Sequence, residues 1–271
     1  MNRSVYDYDV IVIGAGIAGM VSAVTASALG KHIAVVEKSK VGGNCTNSTC
    51  IPSKALIRVS HLSRDMTRLD RWGLSSAPAG GLVGHMIMPH IRGIVQKAHE
   101  KDLPETFERI GINMISATAS FVDSHRIEVN GRTLSARNFI IATGTVPFIP
   151  PIDGIEHIDY LTNETLYQLD ELPGSLLILG GGVDGLEYAS AFGRLKVETI
   201  VVEMATRLLP MADEELVDHL LQALQAEGIR LMSGTRAVSV RKTQDKVALK
   251  IQRGKEFHEE ILEDKILVAV G

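Results

Sequence analysis

The sequence predicts an α/β chain that uses one strand, turn, helix, strand plan twice, and three observations carry that prediction. Each copy opens on a short apolar run followed by three glycines at the same spacing. Each places an acidic residue 18 positions after its third glycine, and each later returns to an apolar run that ends in glycine. Such agreement between two distant segments is hard to obtain by chance.

In the first copy, residues 9–13 (Asp-Val-Ile-Val-Ile) read as a buried strand, and Gly14, Gly16 and Gly19 open an Ala-rich helix that runs to Leu29. Gly30 ends it, and residues 33–36 give a second strand closed by Glu37. The second copy starts after the Pro173-Gly174 break. Leu176 to Leu179 form its strand, Gly180, Gly182 and Gly185 its turn, a helix follows to about Leu195, and Val197 to Val202 lead to Glu203. Each copy closes through strand-like segments that predict a small β-meander. Ile112 to Ile115, Arg126 to Val129, an Asn130-Gly131 hairpin turn and Phe139 to Gly144 finish the first. Alternating Val247 to Ile251, a Gly254 turn and Ile266 to Gly271 finish the second. The two domains are therefore expected over 1–155 and 156–271. Asp213 is expected to cap a helix whose Leu216, Val217, Leu220, Leu221 and Leu224 form one core-facing stripe, ended by Gly228. The stretch from Ser60 to Gly84 is less regular, and Ala77 to Gly81 reads as a loop.

Composition excludes several function classes. Over 271 residues, 45% hydrophobic and 22% charged content describe a globular chain with material for a core, and a net charge of -4 without any basic block argues against a nucleic-acid or membrane-surface partner. Val10 to Gly30 carries no charge and is about as long as a membrane span. Four glycines within it, and Asp7 and Asp9 where a signal peptide wants positive charge, argue against that role. A cytoplasmic location is expected, since no cysteine-rich framework is present.

A glycine triplet after a buried strand lets the chain turn tightly and lets backbone approach a pyrophosphate, whose charge the helix N-terminus attracts. The distal carboxylate then accepts from ribose hydroxyls. A single triplet could be no more than a tight turn, and Glu37 or Glu203 could be a solvated strand end. The only two cysteines, Cys45 and Cys50, lie five apart, and Pro52 suits the first turn of a helix that would start near Cys50. The positive end of a helix favours a thiolate, which is a good electron relay. The alternatives are two small buried hydrophobes or half of a zinc site, the latter lacking any further Cys or a His at ligand spacing. No metal is expected.

The segment Gly42-Gly-Asn-Cys-Thr-Asn-Ser-Thr-Cys-Ile-Pro-Ser-Lys54 resembles the redox-active segment of the FAD-dependent pyridine nucleotide-disulfide oxidoreductases, the family of dihydrolipoamide dehydrogenase, glutathione reductase and mercuric reductase. Glu37-Lys38 after the first triplet, Ala142-Thr143-Gly144, Gly180 to Glu187, Val202 to Met204 and Arg207 to Pro210 resemble it too. The resemblance implies two Rossmann-like domains, the first for FAD and the second for NAD(H). Cys50 would be the thiol facing the flavin and Cys45 the interchange thiol that meets a small disulfide or dithiol substrate, with Lys54 and Glu187 near the flavin and nicotinamide. Gly14, Gly16, Gly19, Glu37, Lys38, Gly43, Asn44, Ala119, Ala142, Thr143 and Gly144 would contact FAD. Gly180, Gly182, Val183, Gly185, Glu203 and Gly271 would contact NAD(H), the acidic Glu203 favouring NADH over NADPH.

There are departures from the pattern. Asn44 stands for a usual Thr, Ser48-Thr49 for a small or apolar residue plus Gly, and Asp184 for an apolar residue in the second turn, where it either meets the nicotinamide path or faces solvent at the helix start. The chain stops at Gly271, where the family continues with a Gly-Asp segment at the flavin and an interface domain that gives a homodimer its catalytic His-Glu pair. Two readings follow from the resemblance: a dihydrolipoamide dehydrogenase-like oxidoreductase, or a truncated, catalytically incomplete nucleotide-binding fragment of one. Mercuric reductase fits less well for want of an extra cysteine pair, and a flavin-free thiol-disulfide protein would not need two glycine turns.

Overall fold

A computed structural model describes residues 5–74, 83–102, 104–254 and 257–271. In chain order its elements are β1 (Tyr8–Ile13), α1 (Ile17–Ala28), β2 (Ile33–Glu37), α2 (Gly43–Asn47), α3 (Cys50–Met66), α4 (Gly84–Asp102), α5 (Pro104–Arg109), β3 (Ile112–Ser116), β4 (Ala119–Asp123), β5 (Arg126–Val129), β6 (Arg132–Ile141), β7 (Ser175–Leu179), α6 (Val183–Arg194), β8 (Glu198–Val202), α7 (Glu214–Ala226), β9 (Arg230–Met232), β10 (Thr235–Thr243), β11 (Lys246–Arg253), β12 (Phe257–Glu263) and β13 (Lys265–Val268). The chain forms two compact units, one of Met1–Ile51 with Gly93–Val146 and one of Pro52–Arg92 with Pro147–Gly271.

The first unit is built on a six-stranded sheet in the order β3-β2-β1-β6-β5-β4. Strands β3, β2, β1 and β6 run parallel, while β6, β5 and β4 form an antiparallel meander. One strand serves both: Arg132 to Ser135 of β6 pair with β5, and Ala136 to Ile141 pair with β1. The hairpin turns at Asn130 (φ 51°) and Gly131 (φ 72°), a left-handed pair that matches the strand twist. Parallel strands covered on both sides need apolar residues on both faces. Accordingly Val12, Ile33 and Val35 are buried on one face of β1 and β2, and Ile11, Ala34 and Val36 on the other.

The second unit carries a parallel sheet β13-β7-β8-β9 and a separate antiparallel meander β10-β11-β12. Every residue of β7 (Ser-Leu-Leu-Ile-Leu) is buried. Leu176 and Ile178 share a core with Phe192 of α6, with Leu56 of α3 and with Met88 and Ile91 of α4, which is why residues 52–92 cluster here. Leu177, Leu179 and Val268 pack with Leu249 and Ile251 of the meander. Strands β12 and β13 part at Asp264, whose carboxylate accepts from Ser175 N (2.9 Å) while its own N–H donates to Ser175 Oγ (2.9 Å).

Both strand, turn, helix, strand copies are as the sequence predicts, within a residue or two at the ends. Each copy also has its meander, but built from other strands: Ile112 to Ser116 (β3) and Lys265 to Val268 (β13) pair in the parallel sheets, while the meanders are β4, β5 and a β6 that starts already at Arg132, and β10, β11 and β12. Two further expectations change. Helix α3 runs to Met66 and buries Leu56 and Ser60, so the irregular stretch begins only after residue 66; the Ala77 to Gly81 loop lies outside the described residues. Asp213 does cap α7, its Oδ1 accepting from Leu216 N (3.3 Å), but the stripe it introduces is only partly core. Val217 and Leu224, two turns apart, are buried and Leu221 packs against the core that holds Leu224, whereas Leu216 and Leu220 are exposed. A short helix laid on a sheet buries a narrow seam; Leu216, turned by about 100° from it, and Leu220, about 50° away on the same side, face outward. No described helix is long and apolar enough to cross a membrane, and Val10 to Gly30 resolves into β1, a turn and the 12-residue α1.

Candidate functional site

The two glycine turns have one geometry. A constant offset of 166 residues relates Gly14, Gly16, Gly19 and Glu37 to Gly180, Gly182, Gly185 and Glu203. Gly14 (φ 102°) and Gly180 (φ 113°) occupy backbone that side chains rarely adopt, and a Cβ there would lie 2.2 Å from Ala142 O or 2.3 Å from Ala269 O. A Cβ on Gly19 or Gly185 would strike the carbonyl of Gly14 (1.9 Å) or Gly180 (2.0 Å), so helix packs on turn only through glycine. Gly16 and Gly182 precede α1 and α6 as extended N-cap residues that offer no side-chain cap, and a Cβ at either would meet nothing closer than Gly43 Cα at 3.9 Å. Uncapped first-turn N–H groups beside open space are what a bound phosphate requires, and the residues present fit a dinucleotide in each unit.

Both distal glutamates brace their turns. Glu37 accepts from Ala15 N (2.7 Å) and Ser39 N (2.8 Å), and Glu203 accepts from Gly181 N (2.7 Å) and Ala205 N (2.6 Å). Neither is a merely solvated strand end. The loop that follows each glutamate folds back on its turn. Gly42 N donates to Ala15 O (2.8 Å), and Leu209 N to Gly181 O (3.1 Å).

The cysteine segment lies within the first unit. Gly43 sits so close to the glycine turn that a Cβ on it would be 2.8 Å from Gly16 Cα. Cys45 is half-buried on α2, and exposed Cys50 is the first residue of α3, with Thr49 Oγ1 at 3.7 Å from its Sγ. Asn44 Nδ2 donates to Thr145 O (3.0 Å), just past Ala142, Thr143 and Gly144 at the end of β6. Ala119 opens β4, half-buried, and Lys38 is exposed after β2.

Within the second unit, Lys54 Nζ donates to Glu187 Oε1 (2.9 Å) and Oε2 (2.7 Å), joining α3 to α6. The lysine is 61% exposed, so this pair contributes little to stability. Beneath it Tyr167 donates to Tyr188 (3.4 Å between hydroxyls), and burial, the second tyrosine, and the charges of Glu187 and Asp184 hold the Tyr167 hydroxyl above the usual tyrosine range. Val183 and Asp184 are exposed in the first turn of α6, so Asp184 faces solvent where an anion suits the helix. Gly271 (φ 114°) follows β13, its carbonyl accepting from Phe148 N (2.7 Å).

Two features do not show in the sequence. Leu208 is buried against Gly181, where a Cβ would meet Leu208 Cδ2 at 1.9 Å. On α4, His99 Nε2 bonds Asn47 Oδ1 between the cysteines, whereas His32 and His61, nearer in sequence, form no such bond among the described residues. The interrupted Cys-x4-Cys stretch, with a lone amide at Asn47, is the one clue that something must satisfy it.

Two Rossmann-like units, one carrying a cysteine pair on the loop over its glycine turn, define the architecture of a flavoprotein disulfide reductase. The chain belongs to the pyridine nucleotide-disulphide oxidoreductase family, whose model matches residues 8–271. That family is FAD-dependent and uses NAD(P)H. A mercuric reductase of Lysinibacillus sphaericus is 33% identical over 270 residues, covering 98% of this chain and 48% of that protein. A dihydrolipoyl dehydrogenase of Thermus scotoductus is 35% identical over 268 residues, covering 97% and 57%. The HOCl-induced flavoprotein disulfide reductase RclA of Escherichia coli superposes with a TM-score of 0.82 at 26% identity, over 97% of this chain and 56% of that one. The chain thus spans about half the length of the mercuric reductase and dihydrolipoyl dehydrogenase relatives it matches.

Proposed function

We propose that this chain serves an oxidoreductase that passes electrons between NAD(H), FAD and a Cys45-Cys50 disulfide, and from there to a small disulfide or dithiol substrate, in the manner of a dihydrolipoyl dehydrogenase. The observation that carries this reading is the loop from Gly42 to Cys50. It bonds the first glycine turn through Gly42 N and presses Gly43 against Gly16, so the cysteines ride on the wall of the FAD cradle.

Residues 1–155 would hold FAD through Gly14, Gly16, Gly19, Glu37, Lys38, Gly43, Asn44, Ala119 and Ala142 to Gly144. Residues 156–271 would hold NAD(H) through Gly180, Gly182, Val183, Gly185, Glu203 and Gly271. When bound, the two nucleotides supply two-electron transfer from a dihydronicotinamide to the disulfide. Cys50 takes the flavin-facing side at the start of α3, where the helix end favours a thiolate. Cys45 is released as the thiol that attacks one sulfur of a substrate disulfide and expels the other as a thiol; Cys50 then attacks Cys45 in the mixed disulfide, expelling the second substrate thiol and reforming the Cys45-Cys50 bond. Lys54, held by Glu187, presents a cation one helical turn beyond Cys50 along α3. Glu203 would repel a 2'-phosphate and so favour NADH. The resemblance to the family carries the rest of this reading, a cytoplasmic homodimer that acts on a small molecule.

The absorbance spectrum of the purified chain after incubation with FAD tests the reading. Flavin bands are expected, and partial reduction should add a long-wavelength band that Cys50→Ser abolishes and Cys45→Ser keeps. A chain that retains no flavin, or a band that survives Cys50→Ser, would overturn the assignment.

A further inference from the structure

Between the two cysteines lies a side chain tied to a residue that no step above uses. Asn47 Nδ2 donates to Gly43 O (2.8 Å) and Val41 O (3.3 Å), and its Oδ1 meets His99 Nε2 of α4. The amide cannot be turned over, because that would set its oxygen against two carbonyl oxygens. Oδ1 therefore faces the ring, and His99 Nε2 must carry the proton it donates. Asn47 and His99 are both half-buried, where the bond has less competition from water than on an open surface.

We propose that His99 is a positioning residue for the Cys45-Cys50 couple: by holding Asn47 it fixes the loop between the thiols and sets how stable their disulfide is. This rests on the redox role proposed above for the two cysteines. The segment is anchored near one end by Asn44 on Thr145 O and at the other by the start of α3, and its own backbone turns through Ser48 N and Thr49 N on Asn44 O (2.8 Å each); Asn47 adds the side-chain tie from its middle to α4. With the middle held, closing the ring costs little further chain entropy. Released, the dithiol gains freedom that the disulfide cannot share, and the disulfide becomes easier to reduce. The balance is read against glutathione: the dithiol gives two electrons and two protons to glutathione disulfide, forming one protein S–S bond and two glutathione thiols.

The purified chain is equilibrated with reduced and oxidised glutathione, quenched with a thiol alkylator, and its Cys45-Cys50 disulfide measured by mass spectrometry. If the native chain forms no such disulfide at any ratio, the redox role of the cysteines falls and this inference with it. Given the couple, His99→Leu should lower the oxidation constant about fivefold, or about 20 mV at roughly 30 mV per tenfold for two electrons. His99→Gln, whose amide can still donate to Asn47, should bring it back to within about twofold of native. Asn47→Ala breaks the same bond from the other side and should reproduce the loss, with no further change in the double variant. A native constant in both His99→Leu and Asn47→Ala, or a His99→Gln variant as shifted as His99→Leu, leaves the redox role standing and overturns the positioning role.

Discussion

The two glycine turns share their dihedrals, their bracing glutamates and their returning loops, yet they differ in what lies over the residue after the first glycine. In the first unit that residue is Ala15, fully buried, and the loop above it is Gly42-Gly43, pure backbone with φ of 96° and 56°. In the second it is Gly181, and the space its missing side chain leaves is filled by Leu208, with Leu209 taking the strained turn at φ 46°. The same cavity is thus filled from below in one unit and from above in the other. A loop made of glycine leaves room for a segment with its own chemistry, and in the first unit the cysteines follow directly.

Alanine at the first glycine should break both units most severely. Gly14→Ala and Gly180→Ala each combine a positive φ with a carbonyl closer than any Cβ tolerates, and each is expected to cost about 3 kcal/mol or more, measured by urea denaturation. Gly182→Ala is the contrast, since a Cβ there meets open space. It should fold normally and lose nucleotide affinity, because the added methyl occupies the phosphate's approach. A Gly182→Ala chain that binds NADH as the native one does would remove the second turn from the proposed site.

The next effect separates the two units directly. Gly181→Ala should destabilise the chain by about 1–3 kcal/mol through its clash with Leu208, and Leu208→Ala in the same chain should recover part of that loss. Ala15→Gly, the reverse change in the first unit, opens space instead of closing it and should cost only about 1 kcal/mol. Equal losses in the two units would mean that Leu208 does not take the place of the missing methyl.

Much of this comparison is legible in the sequence, and the remainder depends on contacts that no local pattern encodes. Glycine spacing, the acid 18 residues on, Asn130-Gly131 and Pro52 after Cys50 are local statements about backbone, and local chemistry decides them. The filling of one cavity by Ala15 and of the other by Leu208 depends on which side chain returns from a loop more than twenty residues away. The Asn47-His99 bond spans 52 residues, and among nine histidines nothing local marks the one that reaches the cysteines. Residues 52–92 follow the second unit because Leu56, Met88 and Ile91 find Phe192 there, a match of shapes rather than of pattern.

A smaller effect concerns cofactor choice. Glu203→Gln removes the charge while keeping one acceptor for the turn, so the preference for NADH over NADPH should fall about tenfold, near 1.4 kcal/mol. Glu37→Gln should leave that preference unchanged. Fluorescence titration with both cofactors decides it, and tighter NADPH binding by the native chain would defeat the argument.

The smallest expected effect has opposite signs in the two units. The side-chain and backbone hydrogen bonds of Ser135 hold the Asp7 carboxyl below its usual value, so its contribution is present above the ordinary carboxylate range and is lost as pH falls through the lowered value. Burial pushes Glu263 above its usual 4.5, against the bond from Ser175 and the nearby Lys246. That contribution is present below 4.5 and lost as pH rises through the raised value. Glu263→Gln should therefore flatten the alkaline side of that window in melting curves, and Ser135→Ala the acid side. Unchanged pH profiles in both variants would show that neither group reports on folding.

Strand β6 has a consequence for how the molecule is made. Because Tyr8 of β1 pairs with Ala136, and Gly14 packs under Ala142, the first cradle lacks a wall until the ribosome has delivered a strand more than a hundred residues downstream. The intervening residues 52–92 join the other unit. At ~5–20 residues per second, the half-built sheet waits roughly 6 to 26 seconds with its edge unpaired. The second unit finds its last strand, β13, later still, so each glycine turn is completed by the final strand of its own sheet, and the first is closed while strands of the second are still to be made.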